Sequence, residues 1–218
     1  MTTLFPLHNV FAAGLLGSAV LTVMSFRLRS MLRSYALSGV FLALLSVAVG
    51  LQQGLEDPYA FAIATVLLKV CTVPAFLFSV ARHSGTSLRL QSYVRPASVL
   101  FIAVLLGSVT FAISTRTASL LPSSTPTSFL MLAIYLILLG FSMMILRRDI
   151  LSQMVGFLTL ENGISMISII TVGSLPLLIE LGVFSAVALS IVVMSYLFRR
   201  IQELYGAPDS SLLRELVE

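Results

Sequence analysis

Charge is what this chain has least of: Asp, Glu, Lys and Arg make up 10% of its 218 residues, whereas a soluble domain carries roughly 25%. A globule with a solvated surface is therefore excluded, and almost no mass is left for a domain outside a membrane. The single cysteine, Cys71, excludes a disulfide within the chain and any metal site built on paired cysteines. The two histidines, His8 and His83, read as lying outside the apolar runs, so no intramembrane haem ligand is expected. A Gly-rich phosphate loop, a His-Glu-x-x-His helix and a Gly-x-Ser-x-Gly elbow are all missing. No catalytic residue, metal or cofactor is expected of this chain.

What is present is apolar: 58% of residues are hydrophobic. Measured against the ~20 residues that cross a bilayer as a helix, the runs predict an all-α polytopic membrane protein with seven transmembrane helices. They fall at Leu7–Phe26, Tyr35–Leu51, Tyr59–Val80, Pro96–Ile113, Phe129–Leu146, Ser152–Val172 and Leu175–Phe198. The first has no basic segment before it and Arg27, Arg29 and Arg33 after it, so it reads as a mature helix and not a secretory signal. The net charge of +4 is carried by short links between runs, which makes it a topology signal and not a nucleic-acid footprint.

The first, third and fifth links and the tail hold eleven basic residues, and the opposite side holds one, Arg116. The positive-inside rule then predicts an external amino terminus and a cytoplasmic carboxyl terminus, in keeping with seven crossings. Residues 1–125 read as a four-helix part and 126–200 as a three-helix module. Residues 201–218 read as a short cytoplasmic tail lying on a partner or partly disordered.

Three charges fall inside apolar runs: Lys69, the only lysine in the chain, Glu161 and Glu180. An acid or amine at the centre of a spanning helix costs about 2.5–3.5 kcal/mol on insertion scales, so each calls for a partner and a reason. With a rise of 1.5 Å per residue, Glu161 stands about 13 Å above the cytoplasmic end and Glu180 about 6–8 Å below the outer end. A stagger of roughly 10 Å is too long for a hydrogen bond and suits a watered relay. Lys69 matches Glu161 in depth and is its expected partner, either as an exchanging member of a proton relay or as a static buried pair. Ser165 and Ser168 share one helical stripe with Glu161, either as relay groups or as packing hydroxyls. Thr65 and Thr72 flank Lys69 at one turn, and Thr72 is expected to support it. Gly156 and Gly163 offer a face for close helix approach, and Pro74 should loosen the carbonyl around Val70. A retinal protein is excluded, because the last helix has no lysine.

The run Arg148-Asp-Ile-Leu-Ser-Gln-Met-Val-Gly156-Phe-Leu-Thr-Leu-Glu161-Asn162-Gly163, followed by Pro176-Leu-Leu-Ile-Glu180-Leu-Gly182, resembles component E of hydrogenase-4 and formate-hydrogenlyase complexes. Lys69-Val-Cys-Thr-Val-Pro74 is similar to that family's third helix. The last three helices also resemble the K subunit of bacterial complex I, with Glu161 and Glu180 at its two intramembrane acids. Some members carry a further acid six positions after the second Glu, where this chain has Ala186. The resemblance implies a non-catalytic subunit in a bacterial or archaeal cytoplasmic membrane. It would take part in proton translocation beside antiporter-like membrane subunits, with peripheral redox subunits as indirect partners. A scaffold joining redox-facing and antiporter-like subunits, or a subunit of a related non-hydrogenase ion-driven complex, is the competing reading, and an independent secondary transporter a third, disfavoured by the lack of inverted repeats and broken helices.

Overall fold

The computed structural model describes residues 5–54, 56–83, 96–117 and 127–171, together with 181, 182, 185 and 189. Inside a bilayer a backbone must satisfy its own hydrogen bonds, and uninterrupted apolar sequence does so as helix. The described residues are accordingly helical: α1 Phe5–Met24, α2 Leu28–Gln53, α3 Asp57–Thr65, a π-helical segment Val66–Thr72, α4 Val73–His83, α5 Pro96–Thr117, α6 Thr127–Leu146 and α7 Ile150–Thr171. Because α3, the π segment and α4 run on as one crossing, six helices among the described residues are long and apolar enough to span a membrane. This is a helical membrane protein. The expected seventh helix, Leu175–Phe198, and the tail lie outside the described residues except for isolated helical positions. The chain divides into two compact units, Met1–Glu180 and Leu181–Glu218.

Two departures from the expected boundaries have physical causes. Helix α2 starts at Leu28, so Arg29 and Arg33 form its first turns and not a loop; arginine is a good helix former whose long stem lets the charge reach the membrane surface. The segment before Pro74 widens into a π turn. Proline has no N–H to offer the carbonyl four residues back, and the bonds lengthen in step: Val73 N–H reaches Leu68 O and the Thr72 hydroxyl donates to Leu67 O at 2.7 Å.

Links are closed by local chemistry. Gly54 ends α2 in the left-handed region at φ 68°, its N–H on Gly50 O at 2.8 Å, a conformation glycine adopts without Cβ strain. Pro58 opens α3, where its missing N–H costs nothing. Asp149 Oδ2 accepts the Ser152 N–H at 2.9 Å and starts α7.

Packing follows small residues. A Cβ at Gly140 would stand 2.6 Å from Gly156 O, one at Gly156 3.0 Å from Gly140 O, and one at Gly163 2.6 Å from Ala133 O. Helices α6 and α7 thus touch backbone to backbone along most of their length, as the Gly156 and Gly163 face led one to expect. Helix α2 lies between α1, the α3–α4 crossing and α7. Leu42, Leu45, Phe61, Leu77, Leu136 and Val155 are among its buried apolar core.

Candidate functional site

Gly39 on α2 lets the π segment come close: a Cβ there would stand 3.2 Å from Lys69 Cβ. The lysine is carried past α2 to α7, where its Nζ forms an ion pair with Glu161 Oε2. Both side chains are buried, and each stands near the middle of its own crossing. Two charges brought out of water persist only with good geometry and further hydrogen bonds, and those are present. Lys69 Nζ also donates to Asn162 Oδ1 at 2.8 Å. Asn162 Nδ2 donates to Ser38 Oγ at 3.2 Å, and the Ser38 hydroxyl donates to the carbonyl of Tyr35 at 2.7 Å. On the other side of the carboxylate, the Ser165 hydroxyl donates to Glu161 Oε1 at 2.6 Å, the short distance of a charge-assisted bond. The result is one hydrogen-bonded chain from α2, through α7, to the π segment.

Of the residues singled out by sequence, the structure brings together Lys69, Glu161 and Ser165. Ser168 is buried farther along the same face of α7. Thr72 is a correction: it is exposed, and its hydroxyl is bonded within its own helix. The cause is the π turn, whose wider winding leaves a residue three positions on short of a full revolution. Thr65, one turn before Lys69, is the threonine that faces inward. Glu180 lies outside the described residues.

His8 is a second correction. It lies within α1, buried, with its ring edge-on to Phe129 at 6.4 Å between centroids. The predicted first crossing, Leu7–Phe26, already contained it, although the continuously apolar stretch begins only at about Val10.

Three residues of the polar framework carry no motif. Asn162 and Ser38 are uncharged, and only the rule that intramembrane polar groups seek partners points to them. Arg147 reads in sequence as one of the charges that orient the chain, yet it is buried. Its Nη2 donates to Val23 O at 2.5 Å and to Ser25 O at 2.8 Å, and the guanidinium lies 4.6 Å over the Phe26 ring. It closes the carbonyl end of α1, a favourable place for a cation. Burial lowers its pKa from the ordinary arginine value, and the nearby Asp149 carboxylate works in the opposite direction. Among the described residues no cluster of His, Cys, Asp and Glu is arranged to hold a metal ion. A buried carboxylate held beside an amine can either exchange a proton or stand as a static ion pair.

Comparison with family models and with solved structures finds no match. Among curated proteins, the "Uncharacterized protein Rv0085" of Mycobacterium tuberculosis is 31% identical over 209 residues, covering 94% of this chain and 93% of its own. "Hydrogenase-4 component E" of Escherichia coli K12 is 24% identical over 197 residues, 90% of each chain, and the Shigella flexneri protein of the same name gives the same figures. Similarity of that extent, running through both halves of the chain and through both helices of the ion pair, is more than a shared hydropathy profile. The chain belongs to one family with the mycobacterial protein Rv0085, and hydrogenase-4 component E is its distant relative.

Proposed function

We propose that this chain is a membrane subunit of a multi-subunit, ion-translocating redox complex, and that Glu161 and Lys69 take part in moving protons across it. The observation that carries the reading is the Lys69–Glu161 pair itself: buried, near mid-depth, bonded to the neutral Asn162 and Ser165 of α7, and linked through Asn162 to Ser38 of α2. Charges in that position are costly to insert and mark ion pathways by default. Similarity to hydrogenase-4 component E over 90% of both chains supports membership in a complex of that kind.

In the full proposal, Glu180 on a seventh crossing is the next acid along the path, and Ser165 and Ser168 line the stretch of α7 leading toward it. Residues 126–200 form the ion-handling module, and residues 1–125 supply Lys69 to it. The amino terminus is external, the carboxyl terminus is cytoplasmic, and the complex resides in the cytoplasmic membrane. Antiporter-like membrane subunits are the direct partners, and redox chemistry takes place in peripheral subunits.

The tight α6–α7 seam favours one competing reading, a scaffold that moves no ions. Glu161→Gln and Glu180→Gln in the assembled complex separate the two. Proton pumping in inverted vesicles is expected to fall at least tenfold with assembly and electron transfer retained, about 1.4 kcal/mol or more in barrier. Pumping that survives both substitutions would leave the scaffold.

A further inference from the structure

The direction of the hydrogen bonds decides which member of the pair can carry the proton. A backbone carbonyl only accepts, so Tyr35 O takes the single proton of the Ser38 hydroxyl, at 2.7 Å. Ser38 Oγ is left with lone pairs toward Asn162, 3.2 Å away, and only the amide nitrogen can answer them. The amide is thereby turned with its oxygen toward Lys69 Nζ, at 2.8 Å. A half-turn of the amide would set donor against donor at the lysine ammonium and would require the Ser38 hydroxyl to give up Tyr35 O. The orientation is set by its neighbours and does not depend on telling nitrogen from oxygen in a side-chain amide.

The two ends of the ion pair are therefore unlike. Lys69 faces an acceptor, which suits an ammonium and offers nothing to the lone pair of a neutral amine. Glu161 Oε1 faces the Ser165 hydroxyl one helical turn away. That hydroxyl donates to a carboxylate, and it can instead accept from a carboxylic acid while turning its own proton to the carbonyl four residues back.

We infer that Asn162, oriented by Ser38, is a positioning residue that keeps Lys69 an ammonium while Glu161 takes up and releases the proton. One proton arrives at Glu161 Oε1 from outside the pair and leaves from the same oxygen; none passes through Lys69 Nζ. The inference rests on the proton-moving reading above, and its test is made without pumping.

Because Lys69 is the only lysine, labelling with 15Nζ-lysine gives the full chain a single side-chain ammonium resonance, read by solid-state NMR in phospholipid bilayers. In Glu161→Gln, which stands in for the protonated acid, the resonance is expected to stay that of an ammonium at neutral pH. In Glu161→Gln/Asn162→Leu the ammonium-to-amine midpoint is expected to fall by about one to two pH units relative to Glu161→Gln alone, the equivalent of one hydrogen bond to a charged group. Glu161→Gln/Ser38→Ala, a gentler change, is expected to shift it in the same direction by less and serves if the leucine variant does not fold. An amine at neutral pH in Glu161→Gln alone, or midpoints unmoved by the second substitutions, would overturn the inference. A complex with Glu161→Gln that still pumps would instead remove the proton-moving reading, while the resonance would still report the state of Lys69. The two failures are thus distinguishable.

Discussion

A buried charge depends on its partner more than on its own contribution. Removing one half of a buried pair strands the other, at a cost of about 3–5 kcal/mol, whereas replacing both with apolar groups of similar size is often neutral. Lys69→Met and Glu161→Met are each expected to lower the thermal midpoint of the solubilised chain, and the double substitution to recover most of the loss. Midpoints that add would mean that the contact in the structure carries no coupling. Arg147 is a different case, since its partners are the carbonyls of Val23 and Ser25. Arg147→Ala should destabilise by about 3 kcal/mol, from two hydrogen bonds to a charged group, while Arg27→Ala, exposed two residues after Ser25, should stay within about 0.5 kcal/mol. Differential scanning in detergent reads both. The contrast also explains what sequence could yield here. Lys69 and Glu161 were legible as a pair because a charge in an apolar run is conspicuous and depth follows from helical rise. The role of Arg147 was not, because its acceptors are backbone atoms 122 and 124 positions away, and a link arginine facing water is written the same way.

Among the elements, the α6–α7 hairpin is held by absent side chains. A methyl group at Gly140 would meet Leu160 N at 2.5 Å, whereas one at Gly17, in the middle of α1, would meet nothing within 4 Å. Gly140→Ala is expected to force the helices apart at a cost of about 1–3 kcal/mol. Gly17→Ala should be neutral or stabilise by up to about 1 kcal/mol through helix propensity. Equal effects in a thermal melt would contradict the close contact. Spacing in the sequence located Gly156 and Gly163 as a packing face, but their counterpart, Gly140 on α6, is fixed only once the hairpin closes. The π segment marks the boundary of such reasoning in the other direction. Pro74 announced a disturbed carbonyl near Val70, yet the same disturbance changes the winding, and winding is what placed Thr72 beside Lys69 in an α-helical register. The residue that gave the warning also made the extrapolation fail.

For the molecule as a whole, crossing parity and charge asymmetry make one joint prediction. Arg27 and Arg147 stand at the ends of α1 and α6 and are brought side by side through Ser25, so the first and fifth links share one membrane face. Glu56, between α2 and α3, follows one further crossing and belongs to the opposite face. With seven crossings, the carboxyl terminus falls on the face of Arg27. Native Cys71 is exposed on the π segment at the middle of its crossing, a depth at which a bilayer keeps out water-soluble reagents. In intact cells, a membrane-impermeant maleimide is therefore expected to leave the unaltered chain unlabelled. In a Cys71→Ser background it should label Glu56→Cys directly, and Arg27→Cys, Arg148→Cys and Glu218→Cys only after permeabilisation. If Glu218→Cys is labelled together with Glu56→Cys from outside, the number of crossings is even. Glu180 then has no seventh helix to stand on, and the proton path proposed from Glu161 onward loses its second acid.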